Sequence, residues 1–360
     1  MIKKIKTQTN KTFFGEIEEK LSEIFFQLNI FQNNLATKKS LKNSTPKASQ
    51  IAVALSGGCD SLALFVLLLN YCQDKNIKIH ALTVDHQIRP NSASEAEQLK
   101  NYLKKNFSDF NFCHHILEIS PLKTPKENIE AKLRDLRYQL LKYYWQENNI
   151  TFLFLGHQLN DIAENFLIRL FRGSSIDGLS SINEIANLDK LFLIRPLLNF
   201  TKDNLQDYLI SKNITWFEDE TNSDEKFLRN KIRNFLNSFD DSNLLQKRIK
   251  KTADYFLEMR EFFEEKVNSE MLKITSKIDD FSYIVNRKKL ALINQEIAQK
   301  IIAKILLNLS KKKYMPRRVK LENFVEYLIS DKQLKPRSFC YCLTKKVNDE
   351  EVLIYLNKFN

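Results

Sequence analysis

Residues 51–72 read IAVALSGGCDSLALFVLLLNYC. The opening IAVAL is apolar and partly β-branched, which suits a buried strand. Ser56-Gly57-Gly58 then turns the chain, and the apolar run from Ser61 to Cys72 reads as a helix. A strand feeding a helix through a Gly-Gly turn is a place for an anion. Glycines let the backbone approach closely, and the first N–H groups of the helix have no intrahelical partner. Ser56 and Ser61 offer hydroxyl donors beside those amides. Asp60 is out of place at an anion site unless it holds Mg2+ against phosphates. The chain has six glycines, and two are spent on this turn. It has no G-x-x-x-x-G-K-S/T segment, so the loop differs from the common P-loop. An ordinary strand-to-helix turn is the plain alternative.

Outward from this loop, strands and helices alternate. KIHALTVD (78–85), FCHHILEI (112–119) and TFLFLG (151–156) read as strands. The stretches 94–106, 128–148 and 160–172 between and after them read as helices. Alternation of this kind builds βαβ units and a doubly wound, mostly parallel sheet. Its ligands sit at the carboxyl ends of the strands. Upstream, Phe13 to Leu35 has helical periodicity and 36–50 reads as a polar linker. Beyond about residue 235, Leu244 to Leu309 has helical periodicity with many charges and no clear strands, and SFCYCLTKK with EEVLIYL resembles a terminal hairpin. The expected organisation is an extension and linker at 1–50, an α/β catalytic domain at 51–235, and a mainly helical domain at 236–360.

At 360 residues with 43% hydrophobic residues, the chain is long enough for two cores. The net charge of +12 favours a polyanionic partner, although a lysine-rich composition alone can produce such a balance. Lys311, Lys312, Lys313, Arg317, Arg318 and Lys320 form a basic run around Tyr314. It is a candidate for contact with a nucleic-acid backbone, or else a solvated loop. The five cysteines contain no C-x-x-C pair, which argues against a disulfide framework or a zinc knuckle. The start MIKKIKTQTNKTFF lacks the apolar core of a signal peptide. The longest apolar run, Leu62 to Leu69, is too short to span a bilayer. These features lead to the expectation of a cytoplasmic protein with no membrane attachment; oligomeric state is left open.

SGGCDS resembles the PP-loop of the N-type ATP pyrophosphatases, which cleave ATP between the α- and β-phosphates. Four further segments resemble the tRNA(Ile)-lysidine synthetase family, in that family's order: LTVDHQIRPNSASEAEQ (82–98), NIEAKLRDLRY (128–138), LGHQLNDIAENFLIRLFRGSSIDGL (155–179) and EDETNSDEKFLRNKIR (218–233). IRPLL (194–198) is expected as the strand between the last two. The resemblance is strong over 51–235. Gln158, Asn160 and Asn165 depart from the family's His, Asp and Thr, whereas His157, Asp161 and Glu164 are kept.

The resemblance implies ATP and Mg2+ as cofactors, with free L-lysine and an isoleucine tRNA bearing a CAU anticodon as partners. It implies adenylation of the C2 oxygen of the wobble cytidine, and then attack by the lysine amine. Ser56, Gly57, Gly58, Cys59, Asp60 and Ser61 would hold the nucleotide, with Asp60 and Asp161 on the metal. His157, Asp161, Asp60 and Arg137 are the candidate catalytic residues; an ammonium must lose a proton before it attacks, and imidazole suits that step. Arg134 and Arg137 share a helix face with Glu130 and would stabilise phosphate charge, unless they only form a solvated salt-bridge face. Glu164 would receive the lysine ammonium, and Arg229, Asn230 and Arg233 would contact tRNA or substrate. The competing readings are a PP-loop tRNA thiolase, an ammonia-using adenylating ligase and a non-enzymatic RNA-binding protein.

Overall fold

The computed structural model describes residues 2–28, 50–85, 87, 92–119, 129–188, 191–218, 228–312, 316–330 and 335–357. The chain forms two compact units, residues 1–255 and 256–360. The division falls twenty residues beyond the expected one, inside a long helix whose periodicity gives no break.

In the first unit, α1 (Ile2–Gln27) precedes β1 (Gln50–Ala54), α2 (Cys59–Cys72), β2 (Lys78–Asp85), α3 (Ser92–Asn106) and β3 (Phe112–Glu118). Next come α4 (Ile129–Asn148), β4 (Phe152–Phe154), α5 (Leu159–Phe171) and the single turn α6 (Ile176–Leu179). The unit continues with β5 (Ile185–Leu188), β6 (Leu191–Ile194), α7 (Lys202–Ser211), α8 (Leu228–Asn237) and the start of α9 (Ser242–Ile274). The sheet order is β3-β2-β1-β4-β6-β5. All neighbours pair in parallel except β5, which runs antiparallel to β6 at the edge. The expected doubly wound, mostly parallel sheet is therefore the fold of this unit. The chain winds from β1 out to β3, then returns to place β4 on the other side of β1. This reversal puts the topological switch point, where open α/β sheets take their ligands, at the carboxyl ends of β1 and β4.

IRPLL is not a strand. Strand β6 ends at Ile194, and Arg195 to Phe200 form a turn. Pro196 has no N–H for a ladder, which stops the strand there. The β5–β6 hairpin went unread because IANL is short and polar on one side.

Helix α2 is buried from Leu62 through Leu69, as a helix apolar on all sides must be. It packs with α1, α3 and α7 against one face of the sheet. Helix α4 covers the other face through Leu141, Tyr144 and Trp145. Helix α1 is part of this core: Ile17 and Phe25 are both 0% exposed. Its described span is residues 2–27, starting earlier than the expected 13–35; residues 29–35 and most of the expected linker lie outside the described residues.

The second unit contains the rest of α9, then β7 (Thr275–Asp279), β8 (Ser282–Asn286), α10 (Arg287–Leu292), α11 (Gln295–Ser310) and α12 (Arg318–Ile329). It ends with β9 (Ser338–Phe339), β10 (Cys342–Lys346) and β11 (Glu351–Leu356). It is mainly helical, with an antiparallel five-stranded sheet ordered β7-β8-β11-β10-β9. The reading of 244–309 as free of strands is corrected by β7 and β8. Alternation there is masked because β7 exposes four of its five residues. Among the described residues no helix is long and apolar enough to cross a membrane.

Candidate active site

The β1–α2 loop is held by its own hydroxyls. The Ser61 Oγ accepts from the Ser56 amide at 3.2 Å and donates to the Gly58 carbonyl at 3.0 Å. It also lies 3.1 Å from Ser56 Oγ. Ser61 thus shapes the loop, and the exposed Ser56 is the hydroxyl nearer to solvent. Gly57 has φ +85°, a left-handed conformation that disfavours side chains, and an added Cβ would also press on Leu99 and Phe217 at 3.3 Å. Gly58 caps α2 with no side-chain hydrogen bond, so the amides of the first turn point outward without a side-chain acceptor. Burial and the neighbouring Asp60 push the Cys59 thiol up to about 12. Its sulfur is therefore inert as a nucleophile, and its contribution is a backbone amide.

The β4–α5 loop packs directly on this one. A Cβ on Gly156 would lie 3.0 Å from the Asp60 carbonyl oxygen and 3.1 Å from Ser61 Cα, so only glycine allows the approach. His157 follows, half-buried. Gln158 is the N-cap of α5: its Oε1 accepts from the Asn160 amide at 2.7 Å, while Asp161 Oδ2 accepts from the Gln158 amide at 3.1 Å. Asn160 Oδ1 accepts from the Lys202 amide at 3.2 Å, joining this cap to the start of α7. Gln158 and Asn160, two of the three departures from the family pattern, thus have structural tasks, in capping and in joining two helix starts.

Asp60, on the first turn of α2, has an Oδ1 that is buried and meets no hydrogen-bond partner among the described residues. Burial, and then the charge of Asp161, raise its carboxyl to about 6, against the pull of Lys202, Arg233 and the Gln158 side chain. Burial raises Asp161 as well, opposed first by Arg229. Two neighbouring carboxylates, one with an orphaned oxygen, are a donor set that fits a hard divalent cation. Asp60 is the stronger candidate ligand, since Asp161 already accepts from the Gln158 amide and from Arg229 Nη2 at 2.8 Å.

Glu164 does not present an open carboxylate. Its side chain is 3% exposed, with Oε2 2.6 Å from Arg229 Nε and Oε1 2.8 Å from Arg233 Nε. Arg229 and Arg233 are one turn apart on α8, and Ile232 and Leu236 beside them pack on Ala163 and Leu167 of α5. The arginines therefore tie α8 to α5, and the Glu164 carboxylate expected to receive the lysine ammonium is engaged by them in this structure. Asn230 is buried on α8 at 8% exposure. Arg137 is half-buried on α4, on the sheet face opposite α2. The side chains of Glu130 and Arg134, and His86, lie outside the described residues. Lys202 was missed by sequence reasoning, although the cap Thr201 to Asn204 marks a helix start that delivers its charge toward Asp60.

A Gly-Gly loop on a helix N-terminus, met by a second glycine loop at the crevice where the strand order reverses, defines an α/β phosphate-binding protein. The family model that matches this chain is that of the PP-loop domain, over residues 29–239. The tRNA(Ile)-lysidine synthase of Wolbachia pipientis wMel is 32% identical over 81% of this chain and 66% of its own length. That of Orientia tsutsugamushi (strain Boryong) is 40% identical over 52% of this chain and 42% of its own, and that of Rickettsia akari (strain Hartford) 30% identical over 85% and 69%. The chain thus spans less than two thirds of the first two relatives. A U34-tRNA thiolase, NcsA from Methanococcus maripaludis with its 4Fe-4S cluster, has a similar fold, with TM-score 0.51 at 18% identity over 69% of this chain and 80% of that one. The chain belongs to the PP-loop family and, within it, to the family of the tRNA(Ile)-lysidine synthases.

Proposed function

We propose that the protein ligates the amine of free L-lysine to C2 of the wobble cytidine in an isoleucine tRNA with a CAU anticodon, converting ATP to AMP and pyrophosphate and switching decoding from AUG to AUA. The observation that carries this reading is the junction of the two glycine loops. It brings the loop that carries His157 against the first turn of α2, where Asp60 lies, in a chain whose relatives are lysidine synthases.

In this mechanism the amides of Gly58, Cys59 and Asp60 hold phosphate oxygens at the helix start. Ser56 adds a hydroxyl from the exposed side of the loop. Asp60 would hold Mg2+, with Asp161 beside it; the ion would neutralise charge on the phosphates. The cytidine O2 attacks the α-phosphorus and the bond to the β-phosphate oxygen breaks, releasing pyrophosphate. Lysine's amine, deprotonated by His157, then attacks C2, and the C2–O bond breaks to release AMP. Asp161 positions the loop through the α5 cap, and Arg137 is assigned to developing phosphate charge. Glu164 acts through Arg229 and Arg233, which it orients along the same helix face.

The test is tRNA-dependent pyrophosphate release with each candidate co-substrate. Stimulation by lysine, with AMP formed in equal amount, supports the reading. Stimulation by ammonia or a sulfur donor in its place would move the protein to another branch of PP-loop chemistry. ADP with free phosphate would sink adenylation altogether.

A further inference from the structure

The sheet face beneath α4 carries three metal-ligating side chains that the active site does not use. His80 on β2 pairs in parallel register with Cys113 on β3, and His115 lies two residues further along β3. The pleat therefore sends all three to one side. Their ligand atoms lie within 4.8 Å of one another. The rings of His80 and His115 are stacked, with centroids 5.9 Å apart and planes within 13°. Supporting groups surround them: the Tyr144 hydroxyl is 2.9 Å from His80 Nδ1, and Gln50 Oε1 is 3.1 Å from His80 Nε2. His80 is buried, Cys113 and His115 are half-buried, and β3 is an outermost strand, so an ion has a path in from solvent.

We propose that His80, Cys113 and His115 form a binding site for one Zn2+ ion that clamps the edge strand β3 to β2. The donor set selects the metal. Two imidazoles and a thiolate suit zinc and lack the carboxylates that Mg2+ or Ca2+ require. Zinc bonds of about 2.0 Å to nitrogen and 2.3 Å to sulfur place tetrahedral donors about 3.3–3.6 Å apart. Side-chain rotation closes the remaining ångström or so. Gln50 lies on β1, on the far side of β2 from β3. Nε2–H given to Gln50 leaves the Nδ1 lone pair for the ion, and the Gln50 oxygen stands where a ligating imidazole ordinarily has a carboxylate, carbonyl or water acceptor. The Tyr144 hydroxyl then moves aside or fills the fourth position. The Cys113 thiol releases its proton as the ion binds. His80 precedes Asp85, the carboxyl end of β2, by five residues, or about 16 Å of strand. The ion is thus a strut placed away from the catalytic loops.

The experiment titrates the metal-free full chain with Co2+ and then with Zn2+, following absorption, stoichiometry and thermal unfolding. About one ion per chain is expected, with a thiolate-to-cobalt charge-transfer band and tetrahedral d–d bands. Zinc should raise the unfolding temperature of the wild type. Cys113→Ser should abolish the charge-transfer band and weaken zinc binding at least about a hundredfold, and His115→Gln should weaken it similarly. Both variants should keep the wild-type circular dichroism. Cys340→Ser, in the other unit, should leave the band intact. A cobalt spectrum with no thiolate band, or zinc binding by Cys113→Ser at wild-type affinity, would overturn the site. Preference for Cu+ over Zn2+ in competition would overturn the assignment of the metal. None of these readouts uses lysine or tRNA, so they stand or fall apart from the proposed reaction.

Discussion

A β-carbon on Gly156 would sit 3.0 Å from the carbonyl oxygen of Asp60. The obstacle is backbone, which cannot rotate away, so Gly156→Ala must push the β4–α5 loop off the first turn of α2. The expected cost in stability is about 1–3 kcal/mol, as for other overpacked sites. Activity should fall much further, because His157 moves with that loop while the nucleotide stays on the other. The check is pyrophosphate release at saturating ATP, beside thermal unfolding. Activity that falls only in proportion to the folded fraction would reduce Gly156 to a packing residue.

Asp60 links site and stability through pH. Its folded carboxyl titrates near 6 against an ordinary 3.8, so the folded state holds its proton more tightly than the unfolded state does. Stability contributed by this group is therefore lost as pH rises from about 4 to 6 and stays lost above. Without Mg2+ and ATP, Asp60→Asn should unfold at higher temperature than the wild type at pH 7.5. The gain is at most about 3 kcal/mol, at about 1.4 kcal/mol per pKa unit, with the pull of Lys202 and Arg233 already included in that shift. The gap should close near pH 4, and turnover should be nearly abolished at every pH. Unfolding curves for the two proteins that run parallel from pH 4 to 8 would contradict the buried charge.

The sheet and its phosphate loop were legible in the sequence because they depend on local signals: β-branched apolar runs, an all-apolar helix and two adjacent glycines. The same signals placed His157 and Asp161 near a second loop. What the sequence hid depends on distance across the chain. Nothing in DEKFLRNKIR says that its two arginines pair with a buried Glu164 more than sixty residues earlier, so they read as free donors. Gln158 and Asn160 looked like lost groups until their backbone partners were visible. Strand β7 was missed because its sheet covers only part of it, leaving no alternation to read.

Glu164 gives a prediction about coupling between helices. Removing Glu164 takes hydrogen bonds from Arg229 and Arg233, whose side chains are 45% and 33% exposed, and Arg229 keeps Asp161, so the cost is about 1–3 kcal/mol, below that of a fully buried pair. Glu164→Ala should destabilise the first unit by about that much and loosen α8 from α5, seen as faster amide exchange in α8. Glu164→Ala combined with Arg233→Met should recover part of the loss. If the single variant is as stable as wild type and only the KM for lysine rises, Glu164 is a substrate ligand after all.

On the cap of α5, chemistry and structure separate by residue. His157→Ala should lower turnover by about 10²- to 10⁴-fold, the usual worth of a proton acceptor, at unchanged thermal stability. Gln158→Ala should do the reverse: about 0.5–2 kcal/mol of stability lost with the cap, and turnover within a few-fold of wild type. Asn160→Ala should resemble Gln158→Ala. Equal loss of turnover in all three would assign the effect to the shape of the loop rather than to imidazole.

The last prediction concerns the polyanion. A wobble base is already unpaired, so affinity for tRNA must come largely from phosphates, and binding should weaken with salt. The basic run is not uniform in what it can offer. Arg318 is tied to Glu296 and, at 2.9 Å, to Glu322, so its charge is already compensated. Lys312 lies 4.4 Å over the Tyr341 ring, which leaves its charge uncancelled. Lys311, Lys312 and Arg317 should therefore contribute to the salt response of this segment where Arg318 does not, with the exposed Lys320 beside them and Lys313 outside the described residues. Replacing the three by Ala should flatten the slope of log K against log salt by up to about two to three units, at roughly 0.7–0.9 per phosphate. Arg318→Ala should leave the slope nearly unchanged. ATP affinity should hold in both variants, since the nucleotide loop belongs to the first unit. The measurement is tRNA binding across a salt series for wild type and the two variants. Superimposable wild-type and triple-variant lines would show that these three side chains meet only water.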